Sequence, residues 1–141
     1  MAKKKKFKKY KSSSHAKFLL KAHVIFVTKY RKKILVNAIN DAMKQILFDI
    51  ANESDFTIET MESENGDHIH MLIDYPPQIS ISSIVNRLKS MSTNRIWQGG
   101  WATFLKQRFW AEHTFWSDGY FAASTGDVST EAIQRYIEEQ G

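Results

Sequence analysis

The chain has 141 residues, room for one domain with one hydrophobic core. A hydrophobic fraction of 43% with 13% aromatics excludes a disordered chain, and the absence of cysteine excludes disulfides and thiolate metal sites. The net charge of +5 comes from one end: seven of the 20 basic residues are Lys3, Lys4, Lys5, Lys6, Lys8, Lys9 and Lys11, and the remaining 13 face 15 acidic residues.

Residues 1–15 read as a flexible basic arm and 16–141 as a single domain. A lysine block of this kind is either a solvated tail or a contact for a polyanion. The short apolar run Phe18–Leu20 is interrupted by Lys21 and His23, which excludes a signal peptide. No run reaches the roughly 20 residues needed to span a bilayer, so a soluble protein of the cytoplasm is expected.

The segment 17–28 ("KFLLKAHVIFVT") is rich in β-branched and aromatic residues and predicts a buried strand. A basic loop, "KYRKK", follows. Asn37 is placed to cap a helix with Ile39, Met43, Ile46, Leu47 and Ile50 on one side. Residues 56–63 alternate as a strand, "NGD" at 65–67 signals a hairpin, and 68–75 is the returning strand, stopped by Pro76 and Pro77. A second helix runs from near Ser80 to Trp97, with Ile81, Ile84, Val85, Leu88 and Met91 on one face. Residues 98–114 read as an aromatic and basic connection, and 115–125 as a last strand. A closing helix starts at Ser129, with Val128 and Ile133 as a hydrophobic staple.

Strand, helix, strand, strand, helix, strand is the split βαβ, ferredoxin-like arrangement of the α+β class, here with one helix added. Its first and third strands pair at the centre of an antiparallel sheet. Both helices cover one face and leave the other for a ligand, as in RNA-recognition domains. Fold alone does not choose between a binder and an enzyme.

Alternation along 68–75 sends Ile69, Met71 and Ile73 into the core, and His68, His70 and Leu72 to the opposite face. Two imidazoles two residues apart on one face can chelate one ion. By themselves they are a weak signal, and two surface or hydrogen-bonded histidines is the favoured reading of that pair alone. On the last helix Tyr136 and Gln140 are four residues apart and share a face. A tyrosine nucleophile needs a Lewis acid near its phenol, whose ordinary pKa is about 10. A glutamine carbonyl is a hard donor for Mg²⁺ or Mn²⁺. Alone, that pair reads as two exposed residues of an ordinary helix.

Taken together, "DHIHMLID", the pair "FW…GYF", the terminal "YIEEQ" and "KYRKKIL" after the first strand resemble the single-tyrosine transposases of the HUH nuclease superfamily. These serve the two-hundred and six-hundred-and-five groups of bacterial insertion sequences. The resemblance spans about residues 17–141. It implies Tyr136 as nucleophile, with a divalent metal, Mg²⁺ or Mn²⁺, on His68, His70 and Gln140, and no organic cofactor. It implies cleavage and rejoining of single-stranded DNA through a 5′-phosphotyrosine, with DNA hairpins at element ends as substrate. It also implies a homodimer with the tyrosine helix acting in trans, in a protein associated with the bacterial nucleoid. The lysine-rich arm is outside the family's pattern.

His23 shares its strand face with positions 19, 21 and 25, and is either a neighbour of the metal site or a structural histidine. Asp67 could orient an imidazole, or simply serve its turn. Lys29, Arg31, Lys32, Lys33, Arg87, Lys89 and Arg95 are candidate phosphate contacts. Trp97, Trp101, Trp110 and Trp116 could stack on bases, though core or interface packing explains most of them. A non-catalytic single-strand binder and a metal-stabilised oligomer are the rivals, together with a domesticated relative of the transposases.

Overall fold

The computed structural model describes residues 11–13, 16–18, 20–110, 112–124 and 130–140. Strands β1 (Lys11–Ser13) and β2 (Ala16–Phe18) form a small antiparallel pair. The main sheet contains β3 (Leu20–Val27), β4 (Thr57–Glu64), β5 (His68–Tyr75) and β6 (Phe121–Ser124). The helices are α1 (Asn37–Asn52), α2 (Ile81–Gln98), α3 (Ala102–Phe109) and α4 (Thr130–Glu139). Among the described residues, no helix is long and apolar enough to cross a membrane.

The sheet order is β4-β5-β3-β6, all antiparallel, with the first and third strands of the main sheet at its centre as the sequence predicts. Alternation on β3 sends Ala22, Val24 and Phe26 to one face, where they meet Ile69, Met71 and Ile73 of β5. Ile39, Met43, Leu47 and Ile50 of α1 and Ile84, Val85 and Leu88 of α2 close that core. Ile25 and Val27 point the other way, and Ile137 of α4 covers them together with the partly buried Phe121, Ile133 and Tyr136. The added helix therefore sits on the face that α1 and α2 leave free.

Asn65 (φ 55°) and Gly66 (φ 71°) both adopt left-handed backbone in the turn joining β4 to β5, as the Asn-Gly pair predicts. That turn fixes the register Glu64↔His68 and Glu62↔His70. It thereby decides which face receives the histidines, because a one-residue slip would send them into the core.

Three expectations change. Asn37 does not cap α1: it takes φ 53° at the first helical position, and Val36 stands at the cap without a side-chain bond. Asparagine tolerates that conformation better than most residues. Ser80 does cap α2, its Oγ accepting from the Ser83 N–H at 3.1 Å. The connection 98–114 contains α3, which buries Leu105 and Phe109, an i, i+4 pair that the surrounding aromatics conceal in the sequence. The last strand shrinks to Phe121–Ser124, since Trp116 makes only an isolated bridge to Thr28 and residues 117–120 leave the ladder. Ser129, Val128 and most of the lysine arm lie outside the described residues.

Candidate functional site

On β3 and β5 the registers Val27↔His68, Ile25↔His70 and His23↔Leu72 place His23, His68 and His70 on one face, beside the ridge on which α4 docks. The site is thus built by two central strands and the last helix. His68 is buried, and its Nδ1 meets Asp67 Oδ1 at 2.9 Å, leaving Nε2, 3.8 Å from Glu64 Oε2, as the ring atom available to a ligand. Asp67 is itself 2% exposed and lies 3.5 Å from Arg31 Nε, so the turn aspartate links a cation to the first histidine. His70 is half buried, and its Nε2 lies 2.9 Å from His23 Nδ1, with the rings tilted and their centroids 5.0 Å apart. Burial, and then the neighbouring His23, hold the His70 imidazole below the usual histidine range.

Tyr136 projects from α4 onto this sheet face, its ring 5.8 Å from that of Phe121. Its hydroxyl is buried and has no hydrogen-bond partner among the described residues, and burial pushes the phenol up to about 12. A buried hydroxyl without a partner costs about 1–3 kcal/mol, so its retention marks a position with another purpose. Gln140 lies one turn further on. A methyl group at Gly119 would stand 3.3 Å from Tyr136 Oη and 3.6 Å from Gln140 Oε1, so both oxygens converge on that glycine.

Sequence reasoning missed how the Gly119 loop is held. Lys89 of α2 donates to the carbonyls of Ser117, Asp118 and Gly119 at 2.7, 3.2 and 2.6 Å. All three ammonium protons are spent on backbone, and burial lowers the amine to about 8. No local pattern signals this, because the acceptors are main-chain atoms about thirty residues away.

The other candidate cations divide. Arg87 bonds Ser54 Oγ at 2.6 Å, and Arg95 forks onto Glu53 at 2.8 and 2.9 Å, on the helix layer away from the histidines. These two residues and Lys89 hold the fold together rather than line the candidate site. Lys29 lies 3.6 Å from the exposed Asp118, and Arg31 pairs with Asp67, while the Lys33 side chain is exposed and Lys32 is partly so. Trp97 and Trp116 are buried, their indole N–H groups bonded to the Thr114 carbonyl and to Ser92 Oγ. Trp110 is 81% exposed.

Among the described residues no three His, Asp or Glu side chains already surround one point, since the rings of His68 and His70 are turned to different partners. The donor set nonetheless suits a divalent ion. Imidazole nitrogens lie on adjacent central strands, a carboxylate backs one of them, and a hard amide oxygen stands beside an unpartnered phenol.

The ISDra2 transposase TnpA of Deinococcus radiodurans is 33% identical over 123 residues, 87% of this chain and 85% of its own length. The transposase for insertion sequence element IS200 of Salmonella typhimurium is 32% identical over 131 residues, 92% and 82% of the two chains. A crystal structure assigned as a transposase from Deinococcus radiodurans superimposes with a TM-score of 0.82 at 32% identity, covering 92% of this chain and 97% of that one. A REP-associated tyrosine transposase bound to a REP hairpin shares the fold at a TM-score of 0.53 and 13% identity, covering 90% and 69%. Residues 16–140 match the family described as "Transposase IS200 like", and with these relatives the chain belongs to the IS200-like transposases, a DNA strand-transfer family.

Proposed function

We propose that this transposase cuts and rejoins single-stranded DNA, with Tyr136 as nucleophile and His68, His70 and Gln140 as the residues that would hold a divalent ion. The observation that carries the reading is the convergence of an unpartnered, buried phenol and the Gln140 carbonyl at Gly119, on the sheet face that bears both histidines. A bound Mg²⁺ or Mn²⁺ would supply Lewis acidity, easing proton loss from the phenol and offsetting charge on the leaving oxygen.

The Tyr136 oxygen attacks phosphorus, the P–O3′ bond breaks, and the departing strand keeps a 3′-hydroxyl after taking up a proton. The other strand remains joined through a 5′-phosphotyrosine. One phosphodiester replaces another, so the step is near isoenergetic and a different 3′-hydroxyl can reverse it without ATP or an organic cofactor. The buried His68–Asp67 pair occupies Nδ1, so that Nε2 is the imidazole nitrogen that would be offered to an ion. Burial of Tyr136 keeps water from competing for the phosphotyrosine.

The substrate is a DNA hairpin at an element end, in keeping with the hairpin carried by the REP-associated relative. The assembly is a homodimer in which α4 of one subunit serves the sheet of the other. Two features favour exchange. A helix of ten residues is marginal by its own propensity, and the one fully buried apolar side chain described on it, Ile137, contributes only about 1.5–3 kcal/mol. In the single chain the same helix rests on its own sheet.

The test uses a labelled hairpin with a single-stranded flank. The wild type should leave a covalent protein–DNA adduct on a denaturing gel in the presence of Mg²⁺ or Mn²⁺. Tyr136→Phe should bind the hairpin with unchanged affinity and leave none. An adduct with the phenylalanine variant removes Tyr136 from the role.

A further inference from the structure

We propose that the cleft between α2 and the 113–118 loop holds one unpaired nucleobase of the DNA strand, beside the bond that Tyr136 attacks. The inference rests on the single-strand reading given above and deepens it, by assigning a base subsite to residues outside the histidine–tyrosine centre.

Asn86, Ser90, Thr93 and Asn94 recur at i, i+4, i+7 and i+8 and so share one face of α2. That face lines a cleft of about 530 Å³, whose other wall includes His113 and Ser117. The volume is within the range of small-ligand pockets.

The lining selects the chemistry of the occupant. Lys89, in the wall of the cleft, has committed its three protons to the carbonyls of Ser117, Asp118 and Gly119. A phosphate therefore finds no free lysine or arginine there. The cleft offers neutral donors and acceptors instead. The side chains of Asn86 and Asn94 make no hydrogen bond among the described residues, and the buried Ser117 Oγ has no partner there either. An amide carries a donor and an acceptor side by side, the pairing that the edge of a base presents.

His113 supplies a flat surface. Its exposed ring lies over that of Trp97, with centroids 4.6 Å and planes 29° apart. Trp97 is buried and its indole N–H is held by the Thr114 carbonyl at 2.9 Å, so the imidazole is braced from behind. A braced ring with one bare face is a stacking partner for a base.

The position ties the cleft to the reaction. Ser117 in its wall and Gly119, on which Tyr136 Oη and Gln140 Oε1 converge, are two residues apart, at most about 7 Å of extended chain. Lys89 grips the whole of that segment. A base seated against His113 thus fixes the adjoining phosphate relative to the tyrosine.

The test is fluorescence anisotropy of the full chain carrying Tyr136→Phe, with a labelled hairpin whose single-stranded flank has an abasic sugar at each position in turn. We expect one position, next to the cleaved bond, at which the abasic sugar weakens binding at least about fivefold, the lower bound for a stacked base. Adding His113→Ala should cost as much on the intact flank and nothing further on that abasic flank. Equal affinity for every flank overturns the subsite, as does a His113→Ala loss that persists undiminished on the abasic strand. Should His113→Ala fail to fold, Asn94→Ala, on the exposed face of α2, replaces it in the same comparison. Affinity is read rather than cleavage, so the subsite and the role of Tyr136 fail separately.

Discussion

The phenol oxygen of Tyr136 and the side-chain carbonyl of Gln140 approach the same glycine, at 3.3 and 3.6 Å from where a Gly119 methyl would stand. A contact at 3.3 Å is tighter than ordinary packing, and Lys89 holds the Gly119 carbonyl, so the loop cannot easily retreat. Gly119→Ala should therefore displace the Tyr136 and Gln140 side chains while sparing the core. Covalent adduct formation should fall about tenfold or more, since misplacement by about an ångström can cost 10²-fold. Hairpin affinity and melting temperature should stay close to wild type. An unchanged cleavage rate would mean that the space at Gly119 is not where the phosphate reacts.

His68→Ala and His70→Ala should each remove activity under Mg²⁺. Excess Mn²⁺ should restore part of it in either single variant, because one imidazole and the remaining donors still bind a metal that accepts nitrogen more readily. The double variant should show no rescue. Cleavage by the double variant in the presence of chelator would refute the role of a metal here.

Asp74 lies on the histidine face at the far end of the sheet, 5% exposed and 3.8 Å from Lys21, whose ammonium bonds Glu59 at 2.9 Å. Burial, and then the nearby Glu59, push the Asp74 carboxyl up to about 6, above an ordinary aspartate near 3.9. A raised folded pKa means that the native state holds the proton more tightly. Its contribution to stability is present below about pH 4 and is lost as pH rises through about 6. Asp74→Asn should flatten that dependence and stabilise the protein at pH 7 by roughly 1–3 kcal/mol. Urea midpoints of both proteins at pH 4 and pH 7 check it. Parallel pH dependence in the two would show that Asp74 is not the group responsible.

Mixing tests the assembly. A Tyr136→Phe subunit combined with a His68→Ala, His70→Ala subunit should regain one complete site per heterodimer if α4 serves its partner's sheet. Neither homodimer should cut. A demonstrably mixed dimer that stays inactive would confine each tyrosine to its own chain, where α4 already meets Ile25 and Val27.

The sequence alone determined the sheet, its order and the two faces of β5. These follow from short-range rules: side chains alternate on a strand, and Asn65-Gly66 permits the left-handed turn that sets the register. Tyr136 and Gln140 were legible as a shared helix face for the same reason, and the register of several motifs brought out the family. Only the tertiary structure decided which face α4 covers, that His23 engages His70, and that Lys89 spends its charge on backbone carbonyls. It also showed that Arg87 and Arg95 anchor the end of α1 and its following turn. Those relations join residues about 30 to 110 positions apart, so no local periodicity encodes them. They arise when burial forces polar groups to find partners, and which partner is near depends on how helices and sheet pack.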